Sequence, residues 1–359
     1  MTIISKSDSG IISEFFLMLV LALVIVLTMP AVGEPVYIGK IRSWDFSFNL
    51  TTTYDDNILR YSDSDLDLMD DPTAPQNKYG IESKDDFIII PEIDIVYKTR
   101  FTGHSLHLGF KTTYYYYVEN DIKRHFRYQG RLRQYFQRGF YLQASLVYFP
   151  DYYYRNSYVS SQGYHEAKFD KIYGKFKLAV PIFDSFKSNL YYTYSIKDFN
   201  QLFDERDLTS HELEIEAIFR PVDYWKSWAN YKFCTANSAG ADNPDYPRDT
   251  SYDSFLFTLG MRFYLKSFSD KRMELAGRVS YKVVWFQTSK VTTEDSYRLG
   301  RKDDRWTMNI SVKQKVVDNF SVGLNLKKVK NLVDLPASYL EKYLEYSSNS
   351  VYFILYYKL

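Results

Sequence analysis

Three rows of like charge recur at even spacings along the chain. They are Arg127, Arg131 and Arg133; Lys171, Lys175 and Lys177; and Glu212, Glu214 and Glu216. Arg262, Arg278, Lys282 and Lys313 continue the basic sign, and Glu92 and Asp94 the acidic one. A spacing of two is the strand period, so each row projects from one face of an extended segment. The chemistry such rows supply is ionic. They either set an ion preference along a narrow passage or pair with opposite charges on neighbouring strands and fill space. Which of the two applies depends on strand register.

Bond-making chemistry has no local motif here. His211-Glu212 continues as Leu213-Glu214-Ile215, which is not the HExxH of a zinc protease. There is no GxSxG, no P-loop and no CxxC. The five histidines are scattered, and the single cysteine, Cys234, leaves no disulfide to form within the chain. Asp63, Asp65, Asp67, Asp70 and Asp71 are the carboxylate type that holds Ca²⁺. The glycine and twelfth-position glutamate of an EF-hand are missing, so the stretch reads as a solvated acidic loop. No catalytic, cofactor-binding or metal-binding residue is therefore assigned. A hydrolytic site assembled across strands is the alternative that a local search does not reach. A formal net charge of +1 and the lack of a nucleic-acid motif argue against a nucleic-acid partner.

The elements that position the rows are strands. The last nine residues set Val351, Phe353, Leu355, Tyr357 and Leu359 on one face. Thirteen further segments alternate in the same way, among them Trp44-Phe46-Phe48-Leu50, Leu106-Leu108-Phe110, Leu213-Ile215-Ala217-Phe219 and Phe320-Val322-Leu324-Leu326. Pro91 interrupts the second segment, and Trp225 to Cys234 alternates poorly. Tight turns near Thr102-Gly103, Gln137-Arg138-Gly139, Phe183-Asp184-Ser185, Pro221-Val222-Asp223, Ser267 to Asp270 and Val317-Asp318-Asn319 alternate with longer connections such as 55–86 and 331–350. Long loops on one rim and tight turns on the other are the layout of an outer-membrane barrel. A barrel that starts and ends on the short-turn side needs an even strand count, and fourteen is even.

The start of the chain supports export. The uncharged apolar run Phe15 to Met29 follows Lys6 and precedes Ala31-Val32-Gly33, the pattern of a secretory signal. Residues 1–33 are expected to be a signal peptide, and 34–359 a single barrel domain. The 35 tyrosines and 26 phenylalanines suit a lipid-facing surface. A mean hydropathy of -0.36 is compatible with this, because barrel strands show only every second residue to lipid. The clusters Tyr114 to Tyr117 and Tyr152 to Tyr154 are expected at the membrane interface, where rings with a polar tip are favoured. A soluble β-sandwich or propeller, or a lectin-like domain, is the competing fold.

The segment Thr53-Tyr54-Asp55-Asp56-Asn57-Ile58 and the C-terminal strand resemble β-barrel porin families of the Gram-negative outer membrane. The C-terminal strand is also similar to the assembly signal of such barrels, with Leu359 in the place usually held by Phe. The resemblance implies an all-β, transmembrane, antiparallel up-and-down barrel of about fourteen strands in the bacterial outer membrane. Its expected partners are outer-membrane lipid and, through the last strand, the barrel-assembly machinery. The expected function is a non-enzymatic porin-like channel for passive diffusion of small anionic or sugar-like solutes. The pore-lining candidates are Arg127, Arg131, Arg133, Lys171, Lys175, Lys177, Glu212, Glu214, Glu216, Arg262, Arg278 and Lys282. A closed docking barrel that assists export of a surface polysaccharide or protein is the second reading.

Overall fold

The computed structural model describes residues 42–71, 78–137, 139–159, 162–243, 246, 248–266, 271–288, 290–291 and 295–359. The expected signal peptide and nearly all of the lead to residue 42 lie outside them, as does the whole turn at 267–270. Alternating apolar residues build fourteen strands: β1 (Ser43–Asp55), β2 (Asp86–Phe101), β3 (His104–Tyr117), β4 (His125–Gln137), β5 (Phe140–Val159), β6 (Gly163–Phe183), β7 (Phe186–Phe199), β8 (Leu208–Val222), β9 (Trp225–Ser238), β10 (Tyr252–Lys266), β11 (Arg272–Phe286), β12 (Lys302–Val317), β13 (Phe320–Asp334) and β14 (Tyr346–Lys358). Each pairs antiparallel with its chain neighbours, and β1 pairs with β14 from Ser47↔Lys358 to Asp55↔Ser350, so the sheet closes and leaves no free edge.

The faces are inverted relative to a soluble protein. Leu213 and Ile215 are 54% and 52% exposed, and Phe46, Phe48, Leu259, Met308, Ile310 and Phe353 are exposed as well. Such a belt around a closed barrel is stable only in lipid, where every backbone group must find its partner inside the sheet. The opposite face carries the polar side chains. The β2–β3 ladder lacks its rungs at Ile90 and Pro91, where proline has no N–H to give. The irregular β9 is nevertheless a full strand. It turns Trp228 and Lys232 inward and Tyr231 and Phe233 outward, and its outer face is weak because Ser227 and Ala229 sit there.

Two-residue turns make five of the six connections on one rim, and β10 and β11 are joined by five residues. Thr102 and Gly103 take φ of 50° and 81°, the left-handed pair that a tight hairpin requires and that glycine adopts without strain. At the other rim β5 and β6, of 20 and 21 residues, extend well past the ~10 needed to cross a bilayer. Bulges in β5 at Phe149/Tyr152 and Tyr153/Arg155 redirect its upper end.

These bulges overturn part of the interfacial-tyrosine expectation. Tyr114 and Tyr116 do face outward, against Phe126 and Arg124. Tyr115 and Tyr117 lie on the opposite face around His125, and Tyr152 stacks on Phe169. Tyr153 is buried in a loop core instead of facing lipid. The acidic loop is likewise not simply solvated. It folds as α1 (Asp63–Met69), capped by Ser62, with Asp65 buried against Lys78 at 2.6 Å. Among the described residues no group of three or more potential metal ligands assembles.

Candidate functional site

On the inner face the acidic row is fully engaged. Glu212 meets Lys232 at 2.9 Å, and Glu214 meets Lys175 at 3.0 Å and Asn230 at 2.6 Å. Glu216 accepts from Asn189 at 2.6 Å and from the Tyr191 hydroxyl at 2.8 Å. Arg131 crosses to Asp94, Lys111 to Glu92, and Arg262 to Glu274 at 3.3 Å. Part of the charge is thus cancelled by pairing between strands, as one of the two readings of the rows anticipates.

The remaining cations have neutral partners. Arg133 donates from Nε and a terminal nitrogen to the Gln143 side-chain oxygen at 2.8 and 2.6 Å. Arg127 contacts Gln129 and the Tyr173 hydroxyl at 3.4 and 3.5 Å. Lys171 lies over Tyr173, Lys177 over Tyr141 and Tyr191, Lys282 over Tyr252, and Lys313 over Tyr356. Arg278 stands in register between Gly260 and Asn309. Among the described residues, none of these seven has a carboxylate within ion-pair distance. Amides and rings orient a cation and leave its charge uncompensated.

Sequence reading missed several inner cations. Lys187 and Lys226 lie over Tyr141 and Trp228, and Lys197 over Phe169. Lys232, which holds two glutamates of the acidic row, sits on the poorly alternating strand. The signal that locates them is the register to a better-patterned neighbour, such as Lys232↔Glu214. Trp228 lies over Gly260, where a Cβ would come within 2.2 Å of its ring.

The Tyr54-Asp55-Asp56-Asn57 segment closes the barrel seam. Asp55 binds Arg60 at 2.8 Å and accepts from Ser348 and Ser350 on β14. Asp56 accepts from the Asn349 backbone and side chain, both at 2.7 Å. Asn57 holds the Tyr61 backbone from both sides and reaches the Ser347 carbonyl at 3.1 Å.

From this seam the 56–85 loop cuts across the mouth to β5. Leu59, Tyr61, Tyr79 and Tyr153 form its core, and the Tyr153 hydroxyl donates to the Tyr79 carbonyl at 3.2 Å. Arg155 lies over the Tyr61 ring, and Lys123 donates to the Tyr153 carbonyl at 3.3 Å. Burial, with Arg155 and Arg60 nearby, pushes the Lys123 ammonium down to about 7. Further round the rim, burial and then Arg248 and Arg298 lower Arg206 to about 10, and its guanidinium donates to Ser157 at 2.8 Å.

No protein-family model and no curated protein matches the chain. Among solved structures it is similar to a bacterial polysaccharide outer membrane secretin (9% identity over 88% of this chain and 98% of that one, TM-score 0.48). It is also similar to the outer membrane channel DcaP of Acinetobacter baumannii (11%, 91% and 100%, 0.45) and to an anion-selective porin from Comamonas acidovorans (7%, 89% and 99%, 0.44). The likeness is one of fold. The closed fourteen-stranded barrel and its apolar belt make the chain a transmembrane β-barrel of the bacterial outer membrane, in contact with outer-membrane lipid.

Proposed function

We propose that this barrel is a passive diffusion channel for small solutes with a preference for anions, sugar-like solutes passing alongside them. The observation that carries the reading is the charge balance of the inner wall. Glu212 and Glu214 are paired with Lys232 and Lys175, and Glu216 alone of the row has only amide and phenol partners, whereas the six cations Arg127, Arg133, Lys171, Lys177, Arg278 and Lys282 have no carboxylate within ion-pair distance among the described residues. A unit charge ~6 Å away is worth about 3 kcal/mol at an effective dielectric of ~20, enough to enrich anions strongly in a narrow passage. Arg155, over the Tyr61 ring and with no ion pair among the described residues, extends the same field to the mouth. The glutamate row, with its phenol and amide partners, gives polar neutral solutes a hydrogen-bonding track. The apolar last strand, β14, is the segment we assign to the barrel-assembly machinery.

The test is conductance of the purified barrel in a planar bilayer. Discrete openings with anions as the main carrier support the channel. A folded barrel without conductance that captures a surface polymer supports the docking alternative instead.

A further inference from the structure

A second feature of the inner wall lies toward the short-turn rim. Three cations surround one tyrosine ring there. The Arg133 guanidinium is 4.8 Å from the Tyr141 ring centroid, the Lys187 ammonium 4.7 Å and the Lys177 ammonium 5.4 Å. They come from β4, β7 and β6, so three separate strands converge on a side chain of β5. The sequence makes room for this. Ala179, wholly buried, lies in register between Tyr141 on β5 and Asn189 on β7. Its small side chain lies beneath the contact between Tyr141 and Lys187. Gln143, beside Tyr141, fixes Arg133 by accepting two hydrogen bonds from its guanidinium.

The charged groups around this cluster are accounted for. Glu214 is held by Lys175 and Lys232. Glu216 spends one oxygen on Asn189 and Tyr191 and forms no ion pair with any of the three cations. Lys226, on β9, adds a further positive charge and lies over Trp228. Among the described residues, no carboxylate is within ion-pair distance of Arg133, Lys177 or Lys187. Three positive charges thus share one aromatic platform, with Glu216 the carboxylate nearest in effect and no ion pair formed among the described residues. A chloride ion neutralises one of them. A compact dianion with several acceptor oxygens engages two or three at once: the two lysine ammoniums, and the terminal N–H groups of Arg133 that are not spent on Gln143 and the Tyr135 hydroxyl.

We propose that Arg133, Lys177 and Lys187 around Tyr141 form a binding site for compact multivalent oxyanions, of which hydrogen phosphate is the type. The site rests on the channel reading for its purpose and stands without it as chemistry. In a conducting barrel it selects phosphate-like dianions over chloride near the short-turn exit.

The experiment is isothermal titration of the refolded full-length barrel in detergent with inorganic phosphate at pH 7.5 and low ionic strength, beside chloride and succinate. The expected result is saturable phosphate binding, weakened at least about tenfold in K177Q/K187Q and retained in K187R. Succinate binding in place of phosphate moves the site to dicarboxylates and overturns the oxyanion assignment. Phosphate binding that ignores the double change, or none beyond that of chloride, overturns the site. A Lys342→Gln control, at an exposed side chain of the Ser338–Tyr343 turn at the opposite rim from Tyr141, is expected to bind as wild type, and weakening there to the same degree also counts against the site. The two readings fail separately. Binding without conductance defeats the channel and keeps the site, and conductance without phosphate binding defeats the site and keeps the channel.

Discussion

Arg131 on β4 lies across β3 and holds both carboxylate oxygens of Asp94 on β2 at 2.7 Å. The residue beneath it, in register on β3, is Gly109. A Cβ at that position would stand 2.4 Å from Arg131 Nε. Glycine is thus needed for the close approach, and the pair spans a strand that carries no charge of its own there. Gly109→Leu should displace the guanidinium, leave Asp94 without its partner and destabilise the barrel by about 1–3 kcal/mol. Urea unfolding in liposomes measures this, and a wild-type midpoint would remove the glycine from the explanation.

The loop across the mouth depends on Tyr153, whose ring is almost wholly buried against Leu59, Tyr61 and Tyr79. Tyr153→Ala should weaken the docking of the 56–85 loop by about 3–5 kcal/mol, the usual cost of removing a buried aromatic side chain. The strands carry their own ladder, so the barrel itself should survive. Single-channel recording is expected to show a larger unit conductance with weaker anion preference, and protease should cut within 56–85. Unchanged conductance together with unchanged protease resistance contradicts this role for the loop.

The mouth should also respond to pH. Lys123, buried and flanked by Arg155 and Arg60 with only Asp55 opposing them, titrates near 7 instead of 10.5. A lysine whose folded value is depressed contributes its full stability above the unfolded value and loses it as pH falls through the folded one. Loop docking should therefore strengthen between about pH 7 and 10.5, by at most about 1.4 kcal/mol per unit. Asp207, in the β7–β8 connection, is pushed up to about 7 by burial, so its contribution is lost as pH rises through that value. Limited proteolysis at pH 6 and pH 9 should show the 56–85 loop better protected at the higher pH and the 200–207 segment less protected. Lys123→Met should flatten the first response only.

Much of this architecture is legible in the residues. The alternation at Leu213-Glu214-Ile215 or Trp306–Val312 gives strand and face together, because a pleated strand offers only two sides. Even spacing also places Lys171, Lys175 and Lys177 on one wall. What spacing does not contain is the partner. Lys175 is matched by Glu214 two strands away and Lys177 by two tyrosines, although the lysines are neighbours in the same row. That distinction comes from register, as does the inward turn of Lys232. The acidic loop misleads for another reason. Its aspartates suggest solvent, but Leu59, Tyr61 and Tyr79 lie on either side of them and supply a core only when Tyr153 arrives from the distant β5. The Tyr54-Asp55-Asp56-Asn57 segment gives the family likeness in sequence, and its hydrogen bonds to β14 give the physical reason for those residues.

The central claim is that uncompensated cations on the inner wall select anions. Reversal potential across a planar bilayer under a KCl gradient tests it most directly, for wild type and for Arg127, Arg133 and Lys171 all changed to Glu. Arg131 is left alone so that its pair with Asp94 keeps the wall folded. The charge account predicts an anion-selective wild type and a reversed sign in the triple variant. A cation-selective wild type, or a variant that conducts with wild-type selectivity, contradicts it.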